Sequence, residues 1–184
     1  MLDHFGILAP IYDKAIPFSR LNRMLRMLEL PVDGLLLDVG GGTGRVAHAL
    51  FPYTGNVYIA DYSHHMLLQA MAKGLSSVEV PAEILPFPGE SFDRIIMVDA
   101  LHHVFDQKAA ILELWRVLNR GGILIIEEPD VRKWQVKILA IMEKLILMRS
   151  HFLTPPQIAG LFPKQAQLVI DVEGYNAWII VKKI

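Results

Sequence analysis

The residues best suited to chemistry lie between positions 35 and 63. Leu35-Leu36-Leu37-Asp38-Val39 is a short apolar run that ends in Gly40-Gly41-Gly42-Thr43-Gly44, and Arg45-Val46 opens an amphipathic stretch. Glycines at alternate positions, Gly40, Gly42 and Gly44, permit a tight turn and let a ligand lie against bare backbone. After a buried strand and before a helix, that is a place for a nucleoside-bearing ligand. A dinucleotide fingerprint needs G-x-G-x-x-G, and Arg45 stands at the third glycine position. A phosphate-cradling loop needs Gly-Lys-Ser/Thr, which is absent. An ordinary glycine-rich strand-to-helix turn is the plain alternative.

Asp61 ends a second apolar run, Val57-Tyr58-Ile59-Ala60. It follows Gly40 by about 20 residues, the spacing at which an acid meets the ribose hydroxyls of a bound nucleoside. A carboxylate accepts two such hydrogen bonds and repels a 2′-phosphate. The plain alternative is an acid at a helix start, since Ser63 opens the next helical pattern. Tyr62 is then placed against an adenine face, or is a surface aromatic.

The elements that must hold these residues alternate. Apolar runs at Leu35–Val39, Val57–Ala60, Arg94–Val98 and Ile123–Ile126 read as strands buried on both faces. Amphipathic stretches at Leu21–Leu30, Gly44–Leu50, Ser63–Lys73 and Lys108–Leu118 read as helices, the last ending before Asn119-Arg120-Gly121-Gly122 as a C-cap. Alternating strand and helix predicts a parallel sheet covered on both sides. Ala166–Asp171 and Ala177–Lys182 are joined only by Val172–Asn176, a hairpin length, so the sheet is expected to close with an antiparallel pair.

Composition removes several function classes. The chain has 184 residues, enough for one domain. With 18 Lys and Arg against 19 Asp and Glu, no uniform field draws in nucleic acid. The absence of Cys removes disulfides, thiolate metal sites and Cys nucleophiles. His4, His48, His64, His65 and His151 show no metal-ligand spacing, so no metal is expected. No run reaches the roughly 18 apolar residues of a spanning helix, and no signal-like segment opens the chain, so a cytoplasmic location is expected.

Further segments carry a family resemblance. Asp38-x-Gly40-x-Gly42-x-Gly44 followed by an acid at the second strand end resembles the class I S-adenosylmethionine-dependent methyltransferases. Ala82-Glu83-Ile84-Leu85-Pro86-Phe87-Pro88-Gly89-Glu90-Ser91-Phe92-Asp93 is similar to the A-E-x-L-P-F-x-x-x-S-F-D segment of their ubiquinone/menaquinone-biosynthesis (type 11) group. Asp99-Ala100-Leu101-His102-His103-Val104 resembles that group's segment after strand 4. Leu118-Asn119-Arg120-Gly121-Gly122 resembles its L-x-P-G-G turn, with Arg120 for Pro. His4–Asp13 resembles its F-D-x-x-A-x-x-Y-D, with Gly6 for the first Asp.

The resemblance implies an α/β, Rossmann-like fold: a seven-strand, mostly parallel sheet with helices on both faces and an antiparallel C-terminal hairpin. It implies S-adenosyl-L-methionine as cofactor and methyl transfer to a small apolar or aromatic acceptor. By the resemblance, Asp38, Gly40, Gly42 and Gly44 face the methionine part, Asp61 the ribose, Tyr62 the adenine ring, Ala82 and Glu83 the adenine edge, and Asp99 the amino group. Tyr12 closes over the site. Pro81 stands where the family often has Asp and offers neither acceptor nor N–H, so adenine recognition rests on backbone groups. His102 and His103 are the candidate bases, with His103 slightly preferred. A non-catalytic binding or interaction module with a degenerate site and a nucleotide-dependent oxidoreductase are the alternatives. Arg45 weighs against the latter.

Residues 1–184 are expected to form one methyltransferase domain, with 1–30 as an N-terminal helical cap and 131–162 as a helical insertion and candidate lid. In that insertion Trp134, Ile138, Ile141, Leu145, Met148 and Phe152 make one helical stripe. Core packing, a substrate lid, a homodimer face and a peripheral membrane contact are its four readings. The expected partners are a small-molecule acceptor and no nucleic acid.

Overall fold

The computed structural model describes residues 9, 12–54, 56–145 and 150–184. Its strands are β1 (Leu35–Val39), β2 (Asn56–Asp61), β3 (Ser76–Glu79), β4 (Phe92–Val98), β5 (Leu118–Pro129), β6 (Gln167–Glu173) and β7 (Asn176–Lys182). They form one sheet in the order β3-β2-β1-β4-β5-β7-β6. The first five pair in parallel, and β7 runs antiparallel between β5 and β6. The helices are α1 (Tyr12–Ala15), α2 (Leu21–Met27), α3 (Arg45–Leu50), α4 (His64–Ala72), α5 (Gln107–Val117), α6 (Trp134–Leu145) and α7 (Pro155–Ala159). Phe51–Tyr53 and Leu101–His103 are single 3₁₀ turns.

Strand alternation splits the core into two layers. Leu37 and Val39 point with Ile95, Met97, Leu124 and Ile126 toward Ile111 and Leu114 of α5 and Ile158 of α7. Leu36 points the other way with Ile96, Ile125 and Trp178, against Met24 of α2, Leu50 of α3 and Leu67 of α4. Each such fully buried aliphatic side chain contributes about 1.5–3 kcal/mol. The chain leaves β1 toward β2 and β3, then crosses back to β4. A crevice therefore opens between the carboxyl ends of β1 and β4, where such sheets bind ligands.

Several expectations change. Ser76–Glu79 pairs with β2 as the edge strand β3, although its composition is too polar to read as a buried run. Asn119-Arg120-Gly121-Gly122 is not a helix C-cap: α5 stops at Val117 and β5 begins at once. The glycines serve an irregularity in that strand, where pairing with β4 shifts between Phe92 and Arg94. Gly121 has φ +77, and a Cβ on Gly122 would lie 2.7 Å from Leu118 Cδ1. The terminal pair is antiparallel as expected, with β6 as the outer edge and most of its side chains exposed. Phe152 lies outside α6 and stacks on His102 instead. Met148 and most of the His4–Asp13 motif, apart from Ala9, Tyr12 and Asp13, lie outside the described residues.

Candidate active site

The turn after β1 is shaped by backbone that only glycine adopts readily. Gly40, Gly42 and Gly44 have φ of +68, +54 and +74. Gly40 also packs against the turn after β4: a Cβ there would sit 2.5 Å from Ala100 Cβ. Its N–H donates to Ala60 O at 2.7 Å, tying the ends of β1 and β2 together.

Asp61 is the clamp of this loop. Its Oδ2 accepts from Gly42 N at 2.8 Å and its Oδ1 accepts from Ser63 N at 2.7 Å. Asp61 is therefore not the helix N-cap, which is Ser63; it accepts from the N–H of that cap residue, and the same carboxylate edges the glycine loop. Tyr62 beside it is 74% exposed. Val80 N donates to Asp61 O at 2.9 Å, which brings the segment holding Ala82 and Glu83 to the same edge. Glu83 Oε1 accepts from Asp106 N at 3.0 Å, so that side chain fixes a neighbouring loop.

On the β4 side, Asp99 has φ +53, strained for a non-glycine residue. Its Oδ2 accepts from Arg45 Nη2 at 3.0 Å, and the Arg45 side chain is almost buried. The Arg45 guanidinium lies 6.0 Å from the Tyr12 ring centroid. Burial raises the Tyr12 phenol above its usual pKa against the pull of Arg45. Asp38 is buried below, facing Arg45 and Asp61, with Oδ2 lacking a hydrogen-bond partner. Burial pushes its pKa up to about 7, partly opposed by Arg45.

α1 is pinned over the loop by Asp13, which accepts from Thr43 Oγ1 and from Lys73 Nζ. Lys73 also donates to Thr43 O at 2.7 Å. Burial works against the Asp13 carboxylate, but the Lys73 and Thr43 hydrogen bonds hold its pKa below the usual value.

The two histidines follow Ala100, and Glu128 organises them. Glu128 Oε1 accepts from Ala100 N at 3.0 Å and Leu101 N at 2.7 Å, while Oε2 accepts from His102 Nδ1 at 2.5 Å. His102 is buried and its ring stacks on Phe152 at 4.3 Å. His103 is half-buried, its Nδ1 3.3 Å from Ser150 Oγ. Burial, then His102, push its pKa down to about 3, so the ring is neutral near pH 7.

Tyr12, Asp38, Gly40, Gly42, Asp61 and Asp99 therefore gather at the carboxyl ends of β1, β2 and β4, joined to the His102–His103 turn through Ala100, whereas Gly44 backs onto Leu75 and Ile59 of the core. Sequence reasoning missed Asp13, Thr43, Lys73, Glu127 and Glu128, and used Arg45 only as a missing glycine. One signal was available: Glu127 and Glu128 are adjacent acids inside a buried apolar run. Glu127 faces the other layer and pairs with Arg20. Burial raises its pKa, partly opposed by Arg20. Among the described residues no group of three His, Cys, Asp or Glu is placed to hold a metal ion.

Residues 37–126 match the methyltransferase-domain family. The ubiquinone/menaquinone biosynthesis C-methyltransferase of Coxiella burnetii is 36% identical over 104 residues, covering 50% of this chain and 42% of that protein. The chloroplastic 2-methyl-6-phytyl-1,4-hydroquinone methyltransferase 1 of Oryza sativa is 35% identical over 144 residues, 74% of this chain and 44% of that protein. The chain thus spans less than half the length of these relatives. A SAM-dependent methyltransferase of Thermotoga maritima superposes with TM-score 0.76 at 21% identity, over 98% of this chain and 99% of that one. A Pyrococcus horikoshii protein superposes with TM-score 0.76 at 18% identity over 100% of both chains. Residues 37–126 are thus similar in sequence to the methyltransferase-domain family, and the chain has the fold of solved methyltransferases.

Proposed function

We propose that this chain transfers a methyl group from S-adenosyl-L-methionine to a small apolar or aromatic acceptor of the quinol class. The observation that carries the reading is the loop itself: three left-handed glycines, the middle one clamped to Asp61, with the Arg45–Asp99 pair beside them. These residues fit the cofactor. Arg45 and Asp99 offer opposite charges to the carboxylate and ammonium of an amino acid. Asp38 holds a buried oxygen without a partner, a group that a bound polar ligand or water satisfies. Asp61 places a carboxylate, the group that accepts from vicinal hydroxyls, at the edge of the glycine loop.

The bound sulfonium supplies an already activated methyl group. The chain's residues bind, orient and exclude water. Gly40 lets the loop pack on Ala100 and Gly44 lets it pack on Leu75 and Ile59, which sets the loop backbone for the ligand; Tyr62 offers a face to adenine, and Ala82 and Glu83 offer backbone at its edge. Tyr12, in the 1–30 cap, closes over the crevice from α1, which Asp13 holds in place. In the 131–162 insertion, the part that acts as lid is Ser150–Phe152, seated on the histidine turn: His151 N donates to His102 O at 2.7 Å. His102 is committed to Glu128 and positions this turn. His103 is held neutral, and a pKa lowered to about 3 makes its ring a weak base, so in this reading it orients the acceptor's hydroxyl by a hydrogen bond and does not take its proton. Residues 1–184 act in this reading as one domain.

The acceptor class is supported by the names of the two curated relatives, one a ubiquinone/menaquinone and one a phytyl-hydroquinone methyltransferase. A labelled-methyl screen against quinols, phenols, amines and fatty acids tests it. Label on a quinol or phenol is expected. Label confined to amines or carboxylates would overturn the acceptor class.

A further inference from the structure

α6 is attached to the domain by one side. Within it Val136 is buried and Ala140 half-buried, one turn apart on the same face. The opposite face carries Trp134, Ile138, Ile141 and Met142, spaced i, i+4, i+7 and i+8, which are 67, 48, 60 and 59% exposed. The amphipathic stripe therefore exists but turns away from the core. Four large apolar side chains on one outward face mark a docking surface rather than scattered exposure.

Charge says what covers it. Residues 130–149 hold five basic residues (Arg132, Lys133, Lys137, Lys144, Arg149) against Asp130 and Glu143, in a chain of net charge −1, so the rest of the molecule is acidic. Arg132 is held by Asp130 at 2.7 Å, whereas Lys133 and Lys137 are exposed at the flank of the apolar stripe. A second copy on this face would bring two sets of cations together along an apolar seam. An anionic surface neutralises them. At 12 residues α6 is well short of the roughly 20 needed to span a bilayer, and among the described residues no helix is long and apolar enough to cross one.

We propose that α6 docks the domain onto an anionic lipid surface, lying in the interface plane with Trp134, Ile138, Ile141 and Met142 inserted and Lys133 and Lys137 at headgroup phosphates. The full chain is mixed with phosphatidylglycerol-containing vesicles and with pure phosphatidylcholine vesicles, and sedimented at low and high salt. Preferential, salt-sensitive binding to the anionic vesicles is expected. Brominated lipids quench Trp134, a specific reporter because Trp178 is buried and Trp115 half-buried; a Trp134→Phe variant removes the quenched component. Ile141→Asp weakens vesicle binding more than about tenfold. The double variant Lys133→Glu, Lys137→Glu abolishes the anionic preference. All three positions are exposed, so thermal unfolding should match wild type. Calorimetry with S-adenosylhomocysteine on the same samples separates loss of docking from loss of the cofactor site. Absence of sedimentation with anionic vesicles, equal binding to both lipids, or unchanged binding of Ile141→Asp would overturn the proposal. So would a lipid-free dimer that Ile141→Asp dissociates.

Discussion

Asp61 and Glu128 each end a strand beside the crevice, and each accepts two backbone N–H groups from a neighbouring turn. Asp61 is half-exposed, and its partners are the glycine loop and the residue two positions on. Glu128 is buried, and its partners come from the turn after β4, with His102 added through the second oxygen. One device thus serves two ends. At Asp61 the carboxylate borders the glycine loop, where our reading places the ligand. At Glu128 it is spent on holding the wall of that crevice. A buried charge such as Glu128 needs several donors to offset its desolvation, whereas a half-exposed one such as Asp61 is also served by water.

The widest break in this comparison comes from the glycine side. Gly40→Ala combines a left-handed φ with a Cβ 2.5 Å from Ala100, and should cost about 4 kcal/mol of stability. It should also weaken S-adenosylhomocysteine binding by about 100-fold or more, since it displaces the loop from the β4 turn. Urea unfolding and calorimetry read the two effects; near-wild-type values for both would separate the loop from the site.

Glu128→Ala strips the β4 turn and His102 of their acceptor inside the core. Stability should fall by about 3 kcal/mol, with hydrogen exchange rising at Ala100 and Leu101. Unchanged exchange at those two amides would show that the turn does not depend on this carboxylate.

The smallest effect sharpens the contrast through pH. Asp38, on the glycine side, has its folded pKa raised to about 7 from 3.8, so the native state binds more protons and stability falls as pH rises from about 4 to 7. His103, on the Glu128 side, has its folded pKa lowered to about 3 from 6.5, so stability is present above 6.5 and falls as pH drops toward 3. Each slope is at most about 1.4 kcal/mol per pH unit, and they oppose each other in the acid range. Asp38→Asn should leave a stability curve that rises with pH there, and His103→Gln one that falls. Urea titrations at several pH values measure both; parallel curves for the two variants would refute the pairing.

The same contrast explains what could be read from sequence. Gly40, Gly42, Gly44 and Asp61 were legible because their demands are local: left-handed backbone, a strand end and a helix start within a few residues. β1 and β4 were legible because burial on both faces makes an unbroken apolar run; β2 shows the same apolar run, yet Tyr58 on one face is exposed. Ser76–Glu79 was not, since an edge strand needs only backbone partners, and its pairing to β2 leaves its side chains polar. Gly121 and Gly122 looked like a helix stop because a strand irregularity and a helix terminus ask for the same residues. Glu128–His102 and Glu127–Arg20 join residues far apart in the chain, so no spacing announces them. The stripe in α6 had the right periodicity, but periodicity names a face and not what that face meets.

In our proposal the crevice between β1 and β4 binds S-adenosylmethionine, with Asp61 on the ribose. Calorimetric titration of the full chain and of Asp61→Ala with S-adenosylhomocysteine tests this most directly. A one-to-one complex in the wild type, weakened by about tenfold or more in the variant, is the predicted result. No binding by wild type at millimolar ligand, or equal affinity in Asp61→Ala, would contradict it.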